Sequence, residues 1–383
     1  MYNIWVGNRE SEILTYKDFF VASITYYGSG KAKNYAYTLK RRVEKKYSDH
    51  FKNFVINKID DLILKYKFVK IHFYNPMFAH KILNEKKDFI KYFANINDYE
   101  TLYWISSKVF TRLWISNWFD VPRFALLSKR ECHYKKLNSL FGNFNDYVIQ
   151  KHISGGGEGT YKLNIKTEND IIQELNEHSL YLVSPYYEKK YTFCCHILIY
   201  RDNVKVFPFG IQTSNEINNQ IIYEGSDYIK GKDIPYDIKQ DLIDISQNIG
   251  VHLSNIGYRG ICGFDFILSN EKILFIEVNA RYLGSTFIIN NALLENGFPS
   301  LFELNTDCFS DSPLYLDFQT HDLSINNKSK TYRNNGDIMI LKDIKEFLND
   351  KIDNENITFF LDGLDSASFI DKNTYLCREM SKG

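Results

Sequence analysis

Side chains that can bind a divalent cation are concentrated on one predicted β-hairpin. Asp265 lies in its first strand-like run, Phe264–Leu268, and Glu277 and Asn279 end the second, which begins with Ile273–Ile276. Successive side chains of a strand point to opposite faces, so Glu277 and Asn279 share a face that Asp265 can meet from the neighbouring strand. Two carboxylates and an amide oxygen are hard ligands, the kind that Mg2+ takes while it stays bound to nucleotide phosphates. The sequence therefore predicts a magnesium site at the end of this hairpin.

Arg281 follows Asn279 by two residues and so continues the same face. Its guanidinium can bind an anionic oxygen of a phosphate or carboxylate. Each of these side chains alone has a simpler explanation, because acids often end strands and solvate hairpins. The set as a whole favours a metal ion that lies beside an anion.

A glycine-rich loop separates two further predicted strands, Tyr147–Gln150 and Tyr161–Leu163. The loop, Ser154–Thr160, has four glycines within five residues, at positions 155, 156, 157 and 159. Such a loop exposes consecutive backbone N–H groups, which can form a nest for phosphate oxygens. It lacks the GK[ST] of a Walker loop, and a strand rather than a helix follows it, which excludes a dinucleotide fingerprint. The alternative interpretation of this stretch is a flexible hairpin tip.

The hairpin and the loop together resemble a known superfamily. The pattern Glu-x-Asn-x-Arg at a strand end, with Asp265 twelve residues before Glu277, is similar to the metal-binding signature of ATP-grasp proteins. The strand–glycine loop–strand unit is similar to the lid that these proteins place over the triphosphate. The resemblance implies ATP and Mg2+ as cofactors, metal ligands at Asp265, Glu277 and Asn279, and catalytic roles for Arg281, Glu277 and Asn279. It covers about residues 1–305.

The resemblance also implies a set of nucleotide contacts outside the hairpin. The segment that begins at Ser106 and ends at Pro122 is similar to the first helix of the ATP-grasp core, with Ser106 or Ser107 as the N-cap and Lys108 on phosphate. Without the family, Lys108 would be an ordinary solvent-facing helix lysine. The implied ATP contacts are Lys108, Gln150, Ser154, Gly155, Gly156, Gly157, Gly159, Thr160, Val183, Ser184, Tyr186, Glu188 and Gln212.

Position 150 departs from the family pattern. Most ATP-grasp proteins carry a lysine on the strand before the glycine loop, where it bonds the α-phosphate and the adenine edge. The matching residue here is Gln150, and Lys151 points to the other face. A glutamine can still donate a hydrogen bond to phosphate, but it adds no charge.

Three residues are predicted to contact the substrate: Arg259, Arg281 and Ser285. Arg259 precedes the hairpin and is placed to hold a substrate carboxylate. Ser285 precedes a predicted helix, Thr286–Glu295, whose N-terminus favours an anion.

The expected fold is α/β and α+β with three parts. Residues 1–105 are predicted to form an N-terminal α/β pre-ATP-grasp domain with a mostly parallel sheet. Residues 106–305 form the two-lobed ATP-grasp core, divided at about 182/183, and residues 306–383 form a small C-terminal α/β module. Further predicted elements are strands at Tyr2–Val6, Phe54–Ile56 and Val69–Tyr74 and helices at Lys31–Tyr47, Ile59–Tyr66 and Asp237–Asn255.

Composition excludes several function classes. Among the 383 residues, 47 Lys and Arg balance 47 Asp and Glu, so the basic excess of a nucleic-acid-binding protein is absent. The six cysteines have no zinc-site spacing and are too sparse for a disulfide framework, which predicts free thiols. No stretch approaches the ~20 apolar residues of a membrane span, so a cytoplasmic protein that binds neither membrane nor nucleic acid is expected.

The predicted function is that of an ATP-dependent ligase. A carboxylic acid, expected to be an amino acid, would become an acyl phosphate and then react with an amine. The arrangement is similar to the peptide-ligase and amino acid–acyl carrier protein ligase branch (pheganomycin-type and butirosin-type) of natural-product pathways. An acyl carrier protein thiol as the acceptor is the alternative, and a kinase or a non-catalytic nucleotide-binding protein is the alternative from another class. The partners are small-molecule carboxylate and amine substrates, and a homodimer is left open.

Overall fold

The protein is described from a computed structural model. The described residues are 1–9, 13, 19–27, 34–36, 48–94, 96–154, 159–311, 313, 323–333, 339–340, 357–360, 369–370 and 375–382. None of the helices in these ranges is long and apolar enough to cross a membrane.

The N-terminal part is built on a four-stranded sheet in which every pair is parallel. Its strands are β1 (Tyr2–Arg9), β2 (Phe20–Tyr27), β3 (Asn34–Ala36) and β4 (Val69–Phe73), in the order β3-β2-β1-β4. Its helices are α1 (Asp49–Lys65), α2 (Pro76–Leu83) and α3 (Tyr99–Ser106). The mostly parallel α/β sheet expected from the sequence is confirmed.

Two predictions in this part are wrong. Phe54–Ile56 is not a strand but the middle of α1, whose buried residues Phe51, Val55, Ile59 and Leu62 recur at helical spacing. A strand at 34–36 also replaces part of the helix predicted for Lys31–Tyr47. The rest of that prediction lies outside the described residues.

The core contains a large antiparallel sheet. Its strands are β5 (Ala125–Ser128), β6 (Tyr147–Lys151), β7 (Thr160–Leu163), β8 (Leu180–Pro185), β9 (Tyr191–Ile199), β10 (Val204–Val206), β11 (Gly210–Ile217), β12 (Gln220–Asp227), β13 (Gly260–Ser269) and β14 (Lys272–Asn279). They follow the order β14-β13-β9-β11-β12-β7-β6-β8-β5, with β10 paired to β9. The helices are α4 (Lys108–Ile115), α5 (Tyr134–Phe141), α6 (Glu168–Glu174), α7 (Tyr236–Asn255), α8 (Thr286–Glu295) and α9 (Leu301–Asp307).

The C-terminal strands extend this sheet. They are β15 (Asn327–Arg333), β16 (Met339–Ile340), β17 (Ile357–Phe360), β18 (Phe369–Ile370) and β19 (Tyr375–Lys382). Strand β19 lies between β15 and β17, and β15 also pairs with β12, whereas β16 and β18 pair with each other. The last described strand is therefore joined, through β15, to the strand β12 of the core.

An aromatic cluster joins the N-terminal sheet to the core. The ring of Trp5 on β1 packs edge-on against Tyr74, Tyr282 and Phe302, with centroid distances of 6.4, 5.3 and 5.3 Å. Tyr74 follows β4, whereas Tyr282 and Phe302 belong to the segment after β14 and to α9. This burial places the end of the N-terminal sheet next to Arg281.

At Gly225 the strand β15 packs closely against the core. A Cβ added at Gly225 would lie 1.9 Å from the backbone oxygen of Ser329. Because backbone cannot move aside as a side chain can, Gly225→Ala should lower the free energy of unfolding by about 1–3 kcal/mol or more. Thermal denaturation measures the effect. Thr213→Ala is the control, since Thr213 is exposed and pairs with Gly225 on β11. Equal melting temperatures for both variants would show that β15 does not pack as described.

His196 provides a prediction about acid stability. It is fully buried on β9, its Nε2 lies 3.1 Å from Thr286 Oγ1, and its Nδ1 has no hydrogen-bond partner among the described residues. Burial lowers the pKa of His196 to about 3. In the unfolded chain a histidine has a pKa of about 6.5, so below that pH the unfolded state binds a proton that the folded state excludes. The stabilisation is complete above about pH 6.5 and is lost as the pH falls towards 3.

Removal of this titration should be measurable. In His196→Gln, the free energy of unfolding should depend on pH less steeply between about pH 6 and 4, by about 1.4 kcal/mol per unit. Urea unfolding at several pH values gives this slope. The control is His178→Gln, which changes an exposed histidine. An unchanged slope in His196→Gln would contradict the prediction.

Candidate active site

The predicted hairpin brings its three ligand candidates together. Strands β13 and β14 pair Asp265 directly with Glu277, and Asn279 lies beside both. Asn279 Nδ2 is 3.0 Å from Asp265 Oδ2 and 3.3 Å from Glu277 Oε1. Gln212 on β11 donates to the other oxygen of Asp265, Oδ1, at 2.8 Å. Both Asp265 oxygens are therefore held in place by amide groups.

The hairpin turn is tight enough to fix this register. Asn270 and Glu271 both have left-handed backbone angles, with φ of 48° and 59°. A two-residue turn with two positive φ angles matches the right-handed twist of the flanking strands. The pairing of Asp265 with Glu277 follows from that turn and from one bulge between Asp265 and Phe266.

Lys108 connects the carboxylates to the start of the glycine loop. Its Nζ lies 2.9 Å from Glu277 Oε2, 2.9 Å from the Ser154 carbonyl oxygen and 3.2 Å from Ser154 Oγ. It is the first residue of α4, and Ser107 is the N-cap. Lys108 is only 4 % exposed. It is therefore a buried ion-pair partner rather than a solvent-facing helix lysine.

The paired carboxyl groups of Asp265 and Glu277 differ in their tendency to ionise. Burial opposes ionisation of Glu277, but Lys108, Arg281 and Arg112 hold its pKa below the usual value. Burial and the adjacent charge of Glu277 raise the pKa of Asp265 well above its usual range. Without a bound cation, Glu277 therefore carries the negative charge and Asp265 retains its proton to a higher pH.

These residues fit a divalent cation. Two largely buried carboxyl groups side by side cannot easily both ionise, and a cation between them would remove that conflict. Asp265 and Glu277 would hold it. No cluster of three or more His, Cys, Asp or Glu side chains suited to a metal occurs among the described residues. Asn279 turns its Nδ2 to the carboxylates and accepts from Arg281 with Oδ1, so its amide would have to rotate to become a ligand.

Arg112 is a site residue that the sequence interpretation missed. Its guanidinium donates to the Ile276 carbonyl oxygen at 2.9 Å, to Ser184 Oγ at 3.1 Å and to Gln150 Oε1 at 3.2 Å. Burial lowers its pKa to about 10, against the opposing effect of Glu277, so it is a cation at neutral pH. The available signal was its spacing: Arg112 follows Lys108 by four residues, on the same helix face.

The predicted nucleotide contacts lie on several elements around Arg112. Gln150 is on β6, Thr160 begins β7, Val183 and Ser184 are buried on β8, and Tyr186 follows β8. Ser154 and Gly159 border the glycine loop, and Gly159 has a left-handed φ of 67°. Residues Gly155, Gly156 and Gly157 lie outside the described residues. The side chain of Glu188 is exposed, and its backbone oxygen accepts from Ser269 Oγ at 2.6 Å.

The predicted substrate residues are on the side of the site that faces the N-terminal sheet. Arg281 Nη2 donates to Asn279 Oδ1 at 2.9 Å, and Nη1 lies 3.3 Å from the Tyr74 hydroxyl. Arg259 and Arg281 both line a small cavity there, although the guanidinium of Arg259 donates to backbone oxygens of Ser254 and Tyr258. Ser285 is 1 % exposed and accepts from the Tyr228 hydroxyl. The structure thus brings Arg259 and Arg281 to one cavity and buries Ser285.

A largely buried carboxylate pair, an adjoining lysine and a glycine loop between antiparallel strands define a site suited to a nucleotide with a bound metal ion. The comparisons with known proteins agree. Residues 105–285 match the family model of the ATP-grasp domain. No curated protein matches the sequence of the chain.

Solved structures share the fold across the whole chain. Carboxyaminoimidazole ribonucleotide synthase from Aspergillus clavatus with ATP is 10% identical, with a TM-score of 0.67, and the match covers 100% of this chain and 94% of that one. The Staphylococcus aureus N5-carboxyaminoimidazole synthetase with ADP is 12% identical, with a TM-score of 0.64 and coverage of 100% and 93%. The biotin carboxylase domain of Hydrogenobacter thermophilus 2-oxoglutarate carboxylase, with MgADP and bicarbonate, is 14% identical, with a TM-score of 0.63 and coverage of 100% and 86%. At these identities the comparisons show the α/β and α+β ATP-grasp fold.

Proposed function

We propose that this protein is an ATP- and Mg2+-dependent ligase that activates a carboxylic acid as an acyl phosphate and joins it to an amine. The main observation that supports this proposal is the pairing of Asp265 with Glu277. Lys108 Nζ lies 2.9 Å from Glu277 Oε2 in the same site. Lys108, Arg112 and Arg281 are three cations around two carboxyl groups, an arrangement suited to a polyphosphate with a metal ion. The related structures that contain ATP, ADP or MgADP support the same interpretation.

Each residue has a role that follows from its position. Mg2+ bound by Asp265 and Glu277 would neutralise charge on the phosphates during transfer. Lys108 contacts both Glu277 and Ser154, the first residue of the glycine loop, so it would fix the position of the loop relative to the carboxylates. Arg281 would stabilise the transferred phosphate or the tetrahedral adduct, since it lies between Asn279 and the cavity.

The bonds formed and broken balance without a protein nucleophile. A carboxylate oxygen of the substrate attacks the γ-phosphorus, and the bond to the β–γ bridging oxygen breaks to release ADP. The amine then attacks the acyl carbon, loses a proton to solvent and releases inorganic phosphate. Positioning and charge are sufficient for phosphoryl transfer of this kind.

The test is phosphate and ADP release from ATP and Mg2+ against a panel of carboxylic acids, with hydroxylamine as the trapping amine. The panel holds the amino acids and bicarbonate, the latter because the carboxylase-domain structure contains it. We expect one acid to give phosphate and a hydroxamate, and both to disappear in Glu277→Gln. ATP binding without turnover on any acid would contradict a small-molecule ligase, and an absence of ATP binding would overturn the proposal altogether.

The same assay distinguishes an amine acceptor from a thiol acceptor, and a ligase from a kinase. Pantetheine replaces hydroxylamine as a thiol acceptor, and a thioester product would indicate a carrier-protein thiol in place of an amine. ADP release with a stable phosphorylated product and no free phosphate would indicate a kinase. The peptide-ligase branch is supported only if an amino acid serves as the acid and a second one as the amine.

A further inference from the structure

Arg112 is a buried cation whose bonds go to neutral groups. It is 2 % exposed, and its three hydrogen-bond acceptors are a carbonyl oxygen, a hydroxyl and an amide oxygen. Among the described residues no carboxylate forms a salt bridge with it, although the charge of Glu277 acts on it through space. A buried charge without a contacting counter-ion is costly, so packing alone explains it poorly.

The position of Arg112 is central to the candidate site. Its three acceptors lie on the strand before the glycine loop (Gln150), on β8 (Ser184) and directly before Glu277 (Ile276). It shares a helix face with Lys108. The three bonds use three of its five N–H groups. One N–H on each terminal nitrogen has no acceptor in the described part of the chain.

We propose that Arg112 binds the nucleotide phosphate nearest the nucleoside, and that it carries the positive charge that ATP-grasp proteins usually place on a lysine at the position of Gln150. This inference rests on the proposed nucleotide site. Gln150 is the positioning residue, because its Oε1 accepts from Arg112 Nη2 at 3.2 Å and orients the guanidinium. A planar guanidinium with two terminal N–H groups suits two phosphate oxygens. In this chain the positive charge therefore lies on helix α4, at Arg112. The amide of Gln150 occupies the position on β6 where ATP-grasp proteins usually have the lysine.

Calorimetric binding of adenosine, AMP, ADP and ATP to the full chain, with Mg2+, tests this assignment. In Arg112→Gln, binding of AMP, ADP and ATP should weaken by about 10- to 100-fold, the range for a charge-assisted hydrogen bond. Adenosine has no phosphate, so its affinity should not change. Arg123→Gln is the matched control, since Arg123 is another arginine of the core that donates to a backbone carbonyl oxygen, that of Phe141.

A double variant that places the positive charge at position 150 distinguishes a role of Arg112 in phosphate binding from a role in folding. The double variant Arg112→Gln with Gln150→Lys returns the cation to β6 and should regain most of the lost AMP affinity. A role in folding alone would not be rescued in this way. Circular dichroism identifies variants that do not fold, and in that case the double variant and Arg112→Lys, which keeps the charge but not the planar fork, take the place of Arg112→Gln.

Two results would overturn the assignment. They are an unchanged affinity of Arg112→Gln for all four compounds, and an equal loss for adenosine and AMP. Failure of the wild-type protein to bind any nucleotide would instead remove the proposed function, so the two failures are distinguishable.

Discussion

Replacing Glu277 with glutamine is expected to lower the rate of ADP release by about 1,000-fold, which corresponds to about 4 kcal/mol of transition-state stabilisation. Glu277 ionises more readily than Asp265, because Lys108, Arg281 and Arg112 lower its pKa despite its burial. Glutamine keeps the size but removes the charge that would hold the metal ion. The measurement is steady-state ADP release with the acid that supports turnover, together with Mg2+-dependent binding of ADP.

The control for this substitution lies on the same hairpin. Glu271→Gln removes a carboxylate from the exposed turn between β13 and β14 and should leave both ADP release and ADP binding unchanged. Glu277→Gln should also lower the pKa of Asp265, since the charge of Glu277 is one cause of its elevation. A Glu277→Gln protein with wild-type turnover would rule out a metal site at this pair.

The second large effect is expected for Lys108→Met. The ammonium group of Lys108 bonds Glu277 and both oxygens of Ser154, and its loss should lower kcat/KM for ATP by about 100-fold. Methionine fills a similar volume without charge, so the change isolates the electrostatic contribution. Because Lys108 lowers the pKa of Glu277, its removal should shift the acidic limb of the pH–rate profile to higher pH.

Two further measurements define the role of Lys108. Lys272→Met is the control, since it removes an exposed lysine whose nearest carboxylate, Asp120, is 3.8 Å away. Ser154→Ala removes only the hydroxyl contact and should have a smaller effect than Lys108→Met. An acidic limb that stays in place in Lys108→Met would show that Lys108 does not set the ionisation of Glu277.

The carboxylate hairpin could be predicted from the sequence because local rules determine it. Strand alternation places Glu277 and Asn279 on one face, and a two-residue turn fixes the register of Asp265 opposite Glu277. The helix Thr286–Glu295 was also predicted with its bounds, since the Asn296–Gly297 pair ends it and Gly297 adopts a left-handed φ of 74°.

The spacing of Arg112 from Lys108 was the available signal, but its hydrogen-bond partners could not be assigned because they come from distant parts of the chain. Its acceptors lie at positions 150, 184 and 276, so the sequence of α4 alone suggests only an ordinary helix arginine. The strand Phe20–Tyr27 was missed for a related reason: it is a central strand of a parallel sheet, and its partners at Tyr2–Arg9 and Asn34–Ala36 decide its conformation. Phe54–Ile56 was assigned to a strand although it lies in helix α1. Three consecutive apolar residues are too few to show whether the apolar pattern repeats at helical or at strand spacing.

The hairpin formed by β11 and β12 was not predicted from the sequence. Its strands meet at Asn218 and Asn219, which have left-handed φ angles of 51° and 63°, and an asparagine pair at such a turn is a usable signal. This hairpin carries Gln212, the amide that holds Asp265. Gln212 was predicted as a nucleotide contact, but its hydrogen bond to Asp265 was not predicted, because the hairpin that positions it was missed.

Arg378 on β19 has a consequence for how the site is completed during synthesis. It is 1 % exposed, donates to the Gly284 carbonyl oxygen at 2.8 Å and lies over the Phe287 ring at 4.0 Å. Gly284 belongs to the segment that follows Arg281, so the ribosome must translate residue 378 before that segment gains this hydrogen bond. The N-terminal sheet and the carboxylate hairpin can form earlier, as chains fold from the N-terminus. In a nascent chain that stops short of Arg378, the segment after Arg281 therefore lacks this hydrogen bond and this cation–π contact.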